Sequence, residues 1–270
     1  MLITPLPQGF GAEVSEFDTR QGRDPAEIAR LQEAFRNHHL LVFRSEGEIA
    51  PERQVEITGW FGPLICEGSE WTVLDNDEPS GSAILPFHSD ITYLEHPLAG
   101  ISLYPQALPD GPTSTTYVSN ARGWEALPEA LKQEVHDAKA RHFLENSDMG
   151  YDWPPFEYWH PIRRVHEASG QPLLFVTEYH VSRIEGMDEE RTSQILEQMF
   201  AALYAPERQY EHVWRPGDLV VWDNFAVQHA RTKVALPSEG RRVMRRVQLG
   251  RKGFMEQLAA LRPAGAAQSA

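Results

Sequence analysis

The sequence predicts a mainly β domain with helical insertions. Short strand-like runs recur along the chain, among them Leu40–Phe43, Gly100–Tyr104 and Val243–Leu249. Turn-forming residues are frequent between these runs, since the 270 residues include 19 glycines and 20 prolines. The sequence has no repeat of solenoid period and no glycine-rich phosphate-binding loop. The strand count and turn density are compatible with a jelly roll, although composition alone does not select that fold.

The first sixty residues are predicted to alternate between strand and helix. Apolar and polar residues alternate from Gly9 to Phe17, which indicates an edge strand. A helix is expected after Asp24-Pro25, because a capping aspartate and a first-turn proline precede apolar residues at helical spacing. Leu40–Phe43 then predicts a buried strand, and Pro51 to about Trp60 a second helix.

Further along the chain, helices are predicted from Trp124 to His136 and from Glu189 to Tyr204, the second with Asp188 as its N-cap. Strands are predicted at 173–177, 219–222 and 243–249. The aromatic and proline-rich segment from Tyr151 to His160 is expected to form a lid or loop near the site. Residues 1–258 are predicted to form one catalytic domain, and the alanine-rich tail 259–270 to fray.

The charge balance limits the classes of partner. Lys and Arg number 25 against 39 Asp and Glu, a formal charge of −14 that would repel nucleic acid and anionic membranes. A small molecule is therefore the expected partner, and a homo-oligomer is compatible with the sequence. No signal-peptide pattern or membrane-spanning run is visible, and there is a single cysteine, which together predict a cytoplasmic protein.

His88, Ser89 and Asp90 form a short motif in a β-leaning run. Side chains alternate along a strand, so His88 and Asp90 are expected to project together while Ser89 points to the other side. Two imidazoles and one carboxylate on one face of an iron leave three coordination positions open for oxygen chemistry. A His-x-Asp triplet also occurs by chance, so the triplet needs a second, distant imidazole.

The best candidate for that imidazole is His229, which follows a Val/Trp strand and a short polar bend. Trp222-Asp223-Asn224 precedes it and Arg242 lies thirteen residues after it. The histidines that compete for the role are His96, His142, His160, His166, His180 and His212. The single cysteine, Cys66, is a weaker candidate because it has no thiol partner.

Together these motifs resemble the taurine dioxygenase / 2,4-dichlorophenoxyacetate dioxygenase family of Fe(II)/2-oxoglutarate-dependent dioxygenases, and the resemblance runs over most of the chain. The matching stretches are His88-Ser89-Asp90 with Thr92 and Leu94–Pro97, Trp124–Pro128, Arg183–Met187, Trp222–Asn224 with His229, and Arg241–Met244 with Arg246. The resemblance implies a double-stranded β-helix (jelly roll, cupin-like) with helices packed outside it.

The resemblance also implies a ligand set: His88, Asp90 and His229 for Fe(II), with 2-oxoglutarate and O2 as cosubstrates. Arg242 matches the family arginine that pairs with the far carboxylate of 2-oxoglutarate, as a guanidinium fork can. Thr115 matches the threonine that donates to the same carboxylate, and the adjacent Thr116 leaves the register open by one residue. Taken alone, Arg242 could instead be a solvated charge in a basic cluster with Arg241, Arg245 and Arg246.

The expected reaction hydroxylates, or otherwise oxidises after C–H abstraction, a small organic acid and releases succinate and CO2. Asp90 favours this outcome, because related halogenases carry Gly or Ala at that position. Taurine is disfavoured as the substrate, since Ile84 stands where the taurine enzyme has an asparagine. An apolar, aromatic or alicyclic body with one anionic group is expected instead. The predicted contacts are Arg246, Phe87, Ile84 and Trp71.

Two alternatives from other functional classes remain at this point. A metal-dependent hydrolase or isomerase on a jelly-roll fold is one, because three protein ligands plus water also suit zinc. Dependence on 2-oxoglutarate would separate it from the oxygenase. A non-catalytic binding protein is the other, but a broken ligand set would be expected there, and the set in this chain is unbroken.

Overall fold

The computed structural model describes residues 1–45, 47–78, 82–145, 155–233 and 237–261. The strands are β1 (Leu2–Pro5), β2 (Ala12–Ser15), β3 (Leu40–Arg44), β4 (Thr72–Asp75), β5 (Leu85–His88), β6 (Gly100–Ala107), β7 (Ser114–Ser119), β8 (Lys139–Leu144), β9 (Phe156–Pro161), β10 (Arg163–Val165), β11 (Pro172–Leu174), β12 (Val181–Ile184), β13 (Tyr210–Val213), β14 (Asp218–Asp223), β15 (Val227–Arg231) and β16 (Val243–Leu249). The helices are α1 (Pro25–His38), α2 (Pro51–Gly59), α3 (Asn120–Ala126), α4 (Glu129–Glu134), α5 (Glu189–Leu203) and α6 (Phe254–Leu261).

Two β-sheets enclose the main core. A seven-stranded sheet has the order β1-β2-β3-β14-β6-β16-β4, and a four-stranded sheet has the order β13-β7-β15-β5. One buried cluster takes Trp222 and Met244 from the larger sheet and Tyr117 and Val227 from the smaller one. Full burial of each such side chain stabilises the fold by roughly 1.5–3 kcal/mol. The two sheets therefore pack face to face, and the predicted mainly β class is confirmed.

Helices α1 and α2 pack against the outer face of the larger sheet, and two of the helices begin at the caps that the sequence predicts. The Asp24 carboxylate accepts a hydrogen bond from the backbone N–H of Ala26 at 2.7 Å, and α1 ends where His39 takes a left-handed conformation with φ of 63°. The Asp188 carboxylate accepts one from the backbone N–H of Arg191 at 2.8 Å at the start of α5. Both predicted N-caps are confirmed. No described helix has the length and hydropathy to cross a lipid bilayer.

Three predicted elements differ from the observed ones, one in its place in the sheet and two in their extent. The strand β2 is not an edge strand, because β1 pairs with its outer side and β3 with its inner side. The single helix predicted from Trp124 to His136 is two helices, since the proline at 128 disfavours a helical Leu127 before it. The strand predicted at 173–177 spans only Pro172–Leu174.

The aromatic segment predicted as a lid is partly a strand. Its second half forms β9, which pairs antiparallel with β8, and Phe156 is buried in a cluster with Tyr93. Residues 151–154 of this segment lie outside the described residues, as do residues 79–81 and 262–270. At the other end of the chain, α6 continues to Leu261, so residues 259–261 are helical rather than frayed.

Candidate metal centre

The two candidate histidines face each other across paired strands. Strands β5 and β15 run antiparallel with His88 opposite His229, and the two ring centroids are 4.3 Å apart. Directly opposed side chains in such a pair lie on the same face of the sheet. Strand pairing therefore brings together two histidines that are far apart in the sequence.

Asp90 reaches the two imidazoles through a turn, not through the strand that was predicted. The strand ends at His88, and the chain turns at Asp90 and Ile91, where Ile91 has a φ of 62°. The carboxylate Oδ1 of Asp90 lies 3.4 Å from Nε2 of His88 and 3.8 Å from Nε2 of His229. The structure thus brings the three predicted ligands together, although alternation along a strand is not the reason.

Asn224 fixes the backbone on which the Asp90 carboxylate stands. Its side-chain oxygen accepts a hydrogen bond from the Asp90 N–H at 2.9 Å, and its side-chain nitrogen donates to the carbonyls of Asp90 and Leu98, each at 3.0 Å. The side chain is fully buried. All its described hydrogen bonds go to backbone groups, so it defines the path of the turn.

The protonation states suit metal binding. The Nδ1 of His88 lies 2.8 Å from the carbonyl of Pro86. When Nδ1–H donates to that carbonyl, the lone pair of Nε2 is free to bind a metal beside Asp90. Burial, together with the nearby His88, lowers the pKa of His229 to about 3 and keeps this imidazole neutral. Burial alone would raise the pKa of Asp90, but His88, His229 and Arg246 lower it below its usual range. The site therefore offers the neutral imidazole of His229, the Asp90 carboxylate and the Nε2 atom of His88.

This donor set fits a divalent metal ion. One ligand atom from each of His88, Asp90 and His229 lies within 4.8 Å of the others, and no second such group of three His, Cys, Asp or Glu residues occurs within the described ranges. An imidazole pair with one carboxylate is the arrangement expected for a non-haem Fe(II) oxygenase.

None of the competing histidines belongs to this ligand group, although the ring of His180 lies 6.1 Å from that of His88. His166 contacts Asp223 at 3.0 Å, His212 contacts Asp218 at 3.1 Å and His96 lies 3.8 Å from Glu95. The rings of His142 and His160 pack edge to face, and His180 contacts the Thr92 hydroxyl through Nδ1 at 3.2 Å. Cys66 is exposed and belongs to no such ligand group.

Arg242 is a buried guanidinium, which rules out the reading of it as a solvated charge. It is 3% exposed, and its Nε donates to the Thr113 hydroxyl at 3.0 Å. No carboxylate of the described residues lies within ion-pair distance of it. Burial, followed by the nearby Arg231, lowers its pKa to about 10. By contrast, Arg241 is exposed and pairs with Asp75 at 2.6 Å.

Thr115 and Thr116, the two candidate donors to the cosubstrate, lie on opposite faces of β7. Tyr117 packs with the inner core and lies opposite His229, whereas Val118 belongs to a cluster on the outer face. Thr115 shares the inner face with Tyr117, and Thr116 shares the outer face with Val118. The Thr115 hydroxyl accepts a hydrogen bond from the Trp214 indole at 3.0 Å. Thr113, the Arg242 partner, was missed, although the same alternation could have found it.

The predicted substrate residues divide into two groups. Nη1 of Arg246 lies 3.3 Å from Oδ2 of Asp90, and its Nε donates to the Thr72 hydroxyl at 3.1 Å, so this cation borders the metal centre. Trp71 adjoins Thr72 and is partly exposed, and Ile84 is 54% exposed at the start of β5. Phe87, the fourth predicted residue, lies on the other face of the sheet.

The Phe87 ring is buried on the outer face of the four-stranded sheet. It stacks on Tyr204 with centroids 4.5 Å apart and packs with Val118 and Ala230. Because neighbours in a strand point to opposite faces, Phe87 is directed away from the side that carries His88. It is a core residue, so a substrate contact is not supported for it.

Two tyrosines that the sequence analysis missed border the metal centre. The ring of Tyr179 lies 5.8 Å from that of His88, and 38% of the residue is exposed. Tyr93 is buried, and its pKa is raised by burial and by the nearby Asp90 carboxylate. Tyr93 was visible three residues after Asp90, but only the turn brings it back to the site; no comparable signal marks Tyr179.

Comparison with known proteins identifies the family. The family model described as "Taurine catabolism dioxygenase TauD, TfdA family" matches residues 2–248. The chain is 27% identical to (S)-phenoxypropionate/alpha-ketoglutarate-dioxygenase of Sphingobium herbicidovorans, over 85% of this chain and 88% of that protein. It is 26% identical to alpha-ketoglutarate-dependent 2,4-dichlorophenoxyacetate dioxygenase of Cupriavidus pinatubonensis, over 85% of this chain and 91% of that protein.

The fold is similar to that of a solved taurine dioxygenase. The crystal structure of that enzyme from Burkholderia xenovorans superposes with a TM-score of 0.81 at 22% identity, covering 94% of this chain and 93% of that one. This similarity concerns the fold. With the family model matched over nearly the whole length, the chain belongs to the taurine catabolism dioxygenase TauD, TfdA family and is a 2-oxoglutarate-dependent dioxygenase.

Proposed function

We propose that this dioxygenase oxidises a small organic acid with an apolar body at a centre held by His88, Asp90 and His229. The observation that carries the proposal is the meeting of these three side chains beside one cation, Arg246, in a chain that also buries a second cation, Arg242. One cation serves the cosubstrate and the other the substrate. Hydroxylation, or another oxidation after C–H abstraction, is the proposed outcome, with succinate and CO2 as the coproducts.

The cosubstrate side of the proposal rests on Arg242. Iron bound by the three ligands would supply the oxidative chemistry, and its open positions suit a chelating 2-oxoacid. Arg242, buried and without a carboxylate among the described residues, suits the far carboxylate of 2-oxoglutarate. Thr115 lies on the inner face of β7, two residues along from Thr113, and is proposed as a second donor. A buried arginine of this kind gives no comparable support to the hydrolase or isomerase alternative.

The substrate side rests on Arg246 and on the apolar surface near it. Its guanidinium already borders Asp90, so an acid bound there would lie close to the metal. Tyr179 offers a partly exposed aromatic face beside His88, and Trp71 and Ile84 remain candidate walls. Two relatives are named for phenoxypropionate and 2,4-dichlorophenoxyacetate, acids with an aromatic body, which supports the same class here.

The test is substrate-stimulated release of succinate from 2-oxoglutarate. Iron-loaded protein is supplied with oxygen and a panel of acids that share a carboxylate but differ in the apolar body, with taurine included. We expect aryl or alicyclic acids to stimulate succinate release and taurine to have little effect. Arg246→Gln should raise the KM for the acid at least tenfold, because it removes a charge-assisted pair. Arg241→Gln, which changes an exposed arginine, is the matched control.

The proposal fails if taurine stimulates release and apolar acids do not, or if Arg246→Gln leaves the KM for every acid unchanged.

We also propose that the two packed sheets constitute a double-stranded β-helix within a single domain, residues 1–258. A cytoplasmic location suits the ferrous ion, because a reducing compartment keeps both iron and the Cys66 thiol reduced.

A further inference from the structure

Asn76 follows β4 and meets the backbone of Arg242 just before β16. Its backbone N–H donates to the Arg242 carbonyl at 3.1 Å, and its side-chain oxygen accepts a hydrogen bond from the Arg242 N–H at 2.8 Å. Its side-chain nitrogen donates to the Gly240 carbonyl at 3.0 Å. The residue is 2% exposed. Asn76 therefore holds both backbone groups of the arginine that is proposed to bind the cosubstrate.

These contacts continue the pairing of β4 with β16 by one step. The last pair of the register is Asp75 with Val243, so Asn76 stands opposite Arg242. In a regular hydrogen-bonded pair, the Arg242 N–H would donate to the backbone carbonyl of Asn76. It donates to the side-chain oxygen instead. The side chain of Asn76 therefore determines where the backbone of Arg242 joins the sheet.

The segment that leads into Arg242 makes a tight backbone approach. Gly240 has a φ of 116°, and a Cβ at this position would lie 3.0 Å from the Cα of Pro109. Glycine adopts such a conformation without steric cost. The Asn76 side chain holds the Gly240 carbonyl and the Arg242 N–H at the same time. Removing this side chain would release both groups and let the backbone of Arg242 move.

The position of this backbone matters because of how the guanidinium is used. The Nε of Arg242 donates to the Thr113 hydroxyl at 3.0 Å, and its two terminal nitrogens make no hydrogen bond with any described residue. A bidentate pair with a carboxylate needs two donors in a fixed relative direction. A displaced backbone would misdirect these donors, and a small misplacement of a binding group costs affinity.

We propose that Asn76 is a positioning residue for the distal carboxylate of 2-oxoglutarate, which acts through Arg242 and sets the preference for a dicarboxylic over a monocarboxylic 2-oxoacid. This inference rests on the proposed role of Arg242. Asn76 acts through the arginine because its side-chain oxygen and nitrogen are engaged with Arg242 and Gly240. Replacing its side chain removes no ligand from the metal centre, so the loss falls on the distal carboxylate.

The experiment compares two ligands of equal chain length. Protein loaded with Mn(II) is titrated calorimetrically with 2-oxoglutarate and with 2-oxopentanoate, which lacks the distal carboxylate. The measured quantity is the dissociation constant of 2-oxopentanoate divided by that of 2-oxoglutarate. Asn76→Ala should reduce this ratio roughly tenfold, by weakening 2-oxoglutarate alone. Asn76→Ser keeps a shorter hydroxyl acceptor and should give a ratio between those of the parent and Asn76→Ala.

A double variant shows whether the effect passes through Arg242. Arg242→Gln should reduce the ratio further than Asn76→Ala does, since it removes the cation itself. Adding Asn76→Ala to Arg242→Gln should then change the ratio little, because residues in one hydrogen-bond network are not additive. Asn120→Ala is the matched control: Asn120 is also fully buried and donates to the Phe225 carbonyl, and its ratio should equal that of the parent.

A melting temperature for each variant separates a loss of stability from a loss of positioning. If Asn76→Ala lowers the melting temperature but leaves the ratio unchanged, Asn76 only closes the sheet beside β4 and the inference is overturned. An equal fall of the ratio with and without Arg242 also overturns it. If the alanine variant does not fold, Asn76→Ser carries the test, and a ratio equal to that of the parent overturns the inference.

The Arg242→Gln variant distinguishes failure of this inference from failure of the proposed function. If Arg242→Gln reduces the ratio and the Asn76 variants do not, only the inference falls. If Arg242→Gln itself leaves the ratio unchanged, the proposed role of Arg242 and this inference both fall.

Discussion

At the scale of single residues, the proposed metal centre depends on a side chain that is not one of its three proposed ligands. Asn224 is fully buried and hydrogen-bonds both the N–H and the C=O of Asp90. It also donates to the carbonyl of Leu98, which ties the turn after β5 to the chain that leads into β6. The carboxylate of Asp90 is therefore held by a backbone that has little freedom to shift.

Asn224→Ala should weaken metal binding without removing a ligand. We expect the dissociation constant for Mn(II) to rise roughly 10- to 100-fold, the usual cost of losing an outer partner of a metal ligand. Calorimetric titration of the metal-free protein measures this directly. Asn120→Ala is the control, since Asn120 is also fully buried and donates to a carbonyl, that of Phe225, but does not contact Asp90. Equal metal affinities in the two variants would contradict this role for Asn224.

The sequence was sufficient to predict which three side chains meet, but not the route that brings them together. His88 and His229 follow from strand patterning and pair directly across β5 and β15. The position of Asp90 could not be predicted in this way, because it depends on a turn in which the β-branched Ile91 has a φ of 62°. A β-branched residue rarely adopts a positive φ, so the sequence does not indicate a turn here. Phe87 is a different case, because strand alternation could have set it aside: it is the neighbour of His88 in β5, so its side chain points to the opposite face.

At the scale of elements, helix α5 supports the strands that carry the histidines. Its C-cap residue, Tyr204, stacks on Phe87 of β5 and donates a hydrogen bond from its hydroxyl to the Gln228 side chain of β15 at 2.8 Å. The same hydroxyl accepts a hydrogen bond from the Glu178 N–H at 3.0 Å. Both ligand-bearing strands are thus joined on their outer face by one residue.

Tyr204→Phe should lower the free energy of unfolding by about 1–3 kcal/mol, because the Gln228 oxygen and the Glu178 N–H lose their shared partner. The stacking on Phe87 is retained, so the strands should keep their pairing and the metal affinity should change little. Urea unfolding and Mn(II) titration measure the two effects. A loss of metal affinity without a loss of stability would show that this contact acts on the site and not on the fold.

Element boundaries were harder to predict than element types. The pattern from Trp124 to His136 is helical throughout, and only the backbone restriction that Pro128 places on Leu127 divides it. The segment that forms β9 has too many aromatic residues for an alternation of apolar and polar residues to be visible. It is a strand because it pairs with β8, a partner that its own sequence does not indicate. A local backbone restriction therefore decided the first case, and a tertiary partner decided the second.

At the scale of the whole molecule, buried neutral histidines connect stability to pH. Burial lowers the pKa of His39 and of His160 to about 4. Between about pH 6.5 and pH 4 the unfolded chain therefore binds more protons at these positions than the folded chain does, and the free energy of unfolding rises with pH. The stability is fully present above about pH 6.5 and declines as the pH falls toward 4.

His160→Gln tests this linkage at one position. The Nε2 of His160 lies 3.0 Å from the Leu94 carbonyl, and glutamine keeps a donor but cannot titrate. Between pH 7 and pH 5, the metal-free parent should lose about 2 kcal/mol more than the variant, as follows from a folded pKa of about 4. Urea unfolding at the two pH values measures the difference. An equal loss in both proteins would mean that His160 is protonated in the folded state at pH 5.

The account as a whole depends on the convergence of His88, Asp90 and His229 on one ion, which anaerobic titration with Fe(II) tests most directly. The parent should bind one Fe(II) per chain, and 2-oxoglutarate added afterwards should change the visible absorption of the complex. His229→Ala should weaken Fe(II) binding by more than the roughly 10- to 100-fold cost of losing an outer partner. His96→Ala, which changes a histidine beside Glu95, should bind like the parent. If His229→Ala binds Fe(II) as tightly as the parent does, the proposed metal centre is wrong.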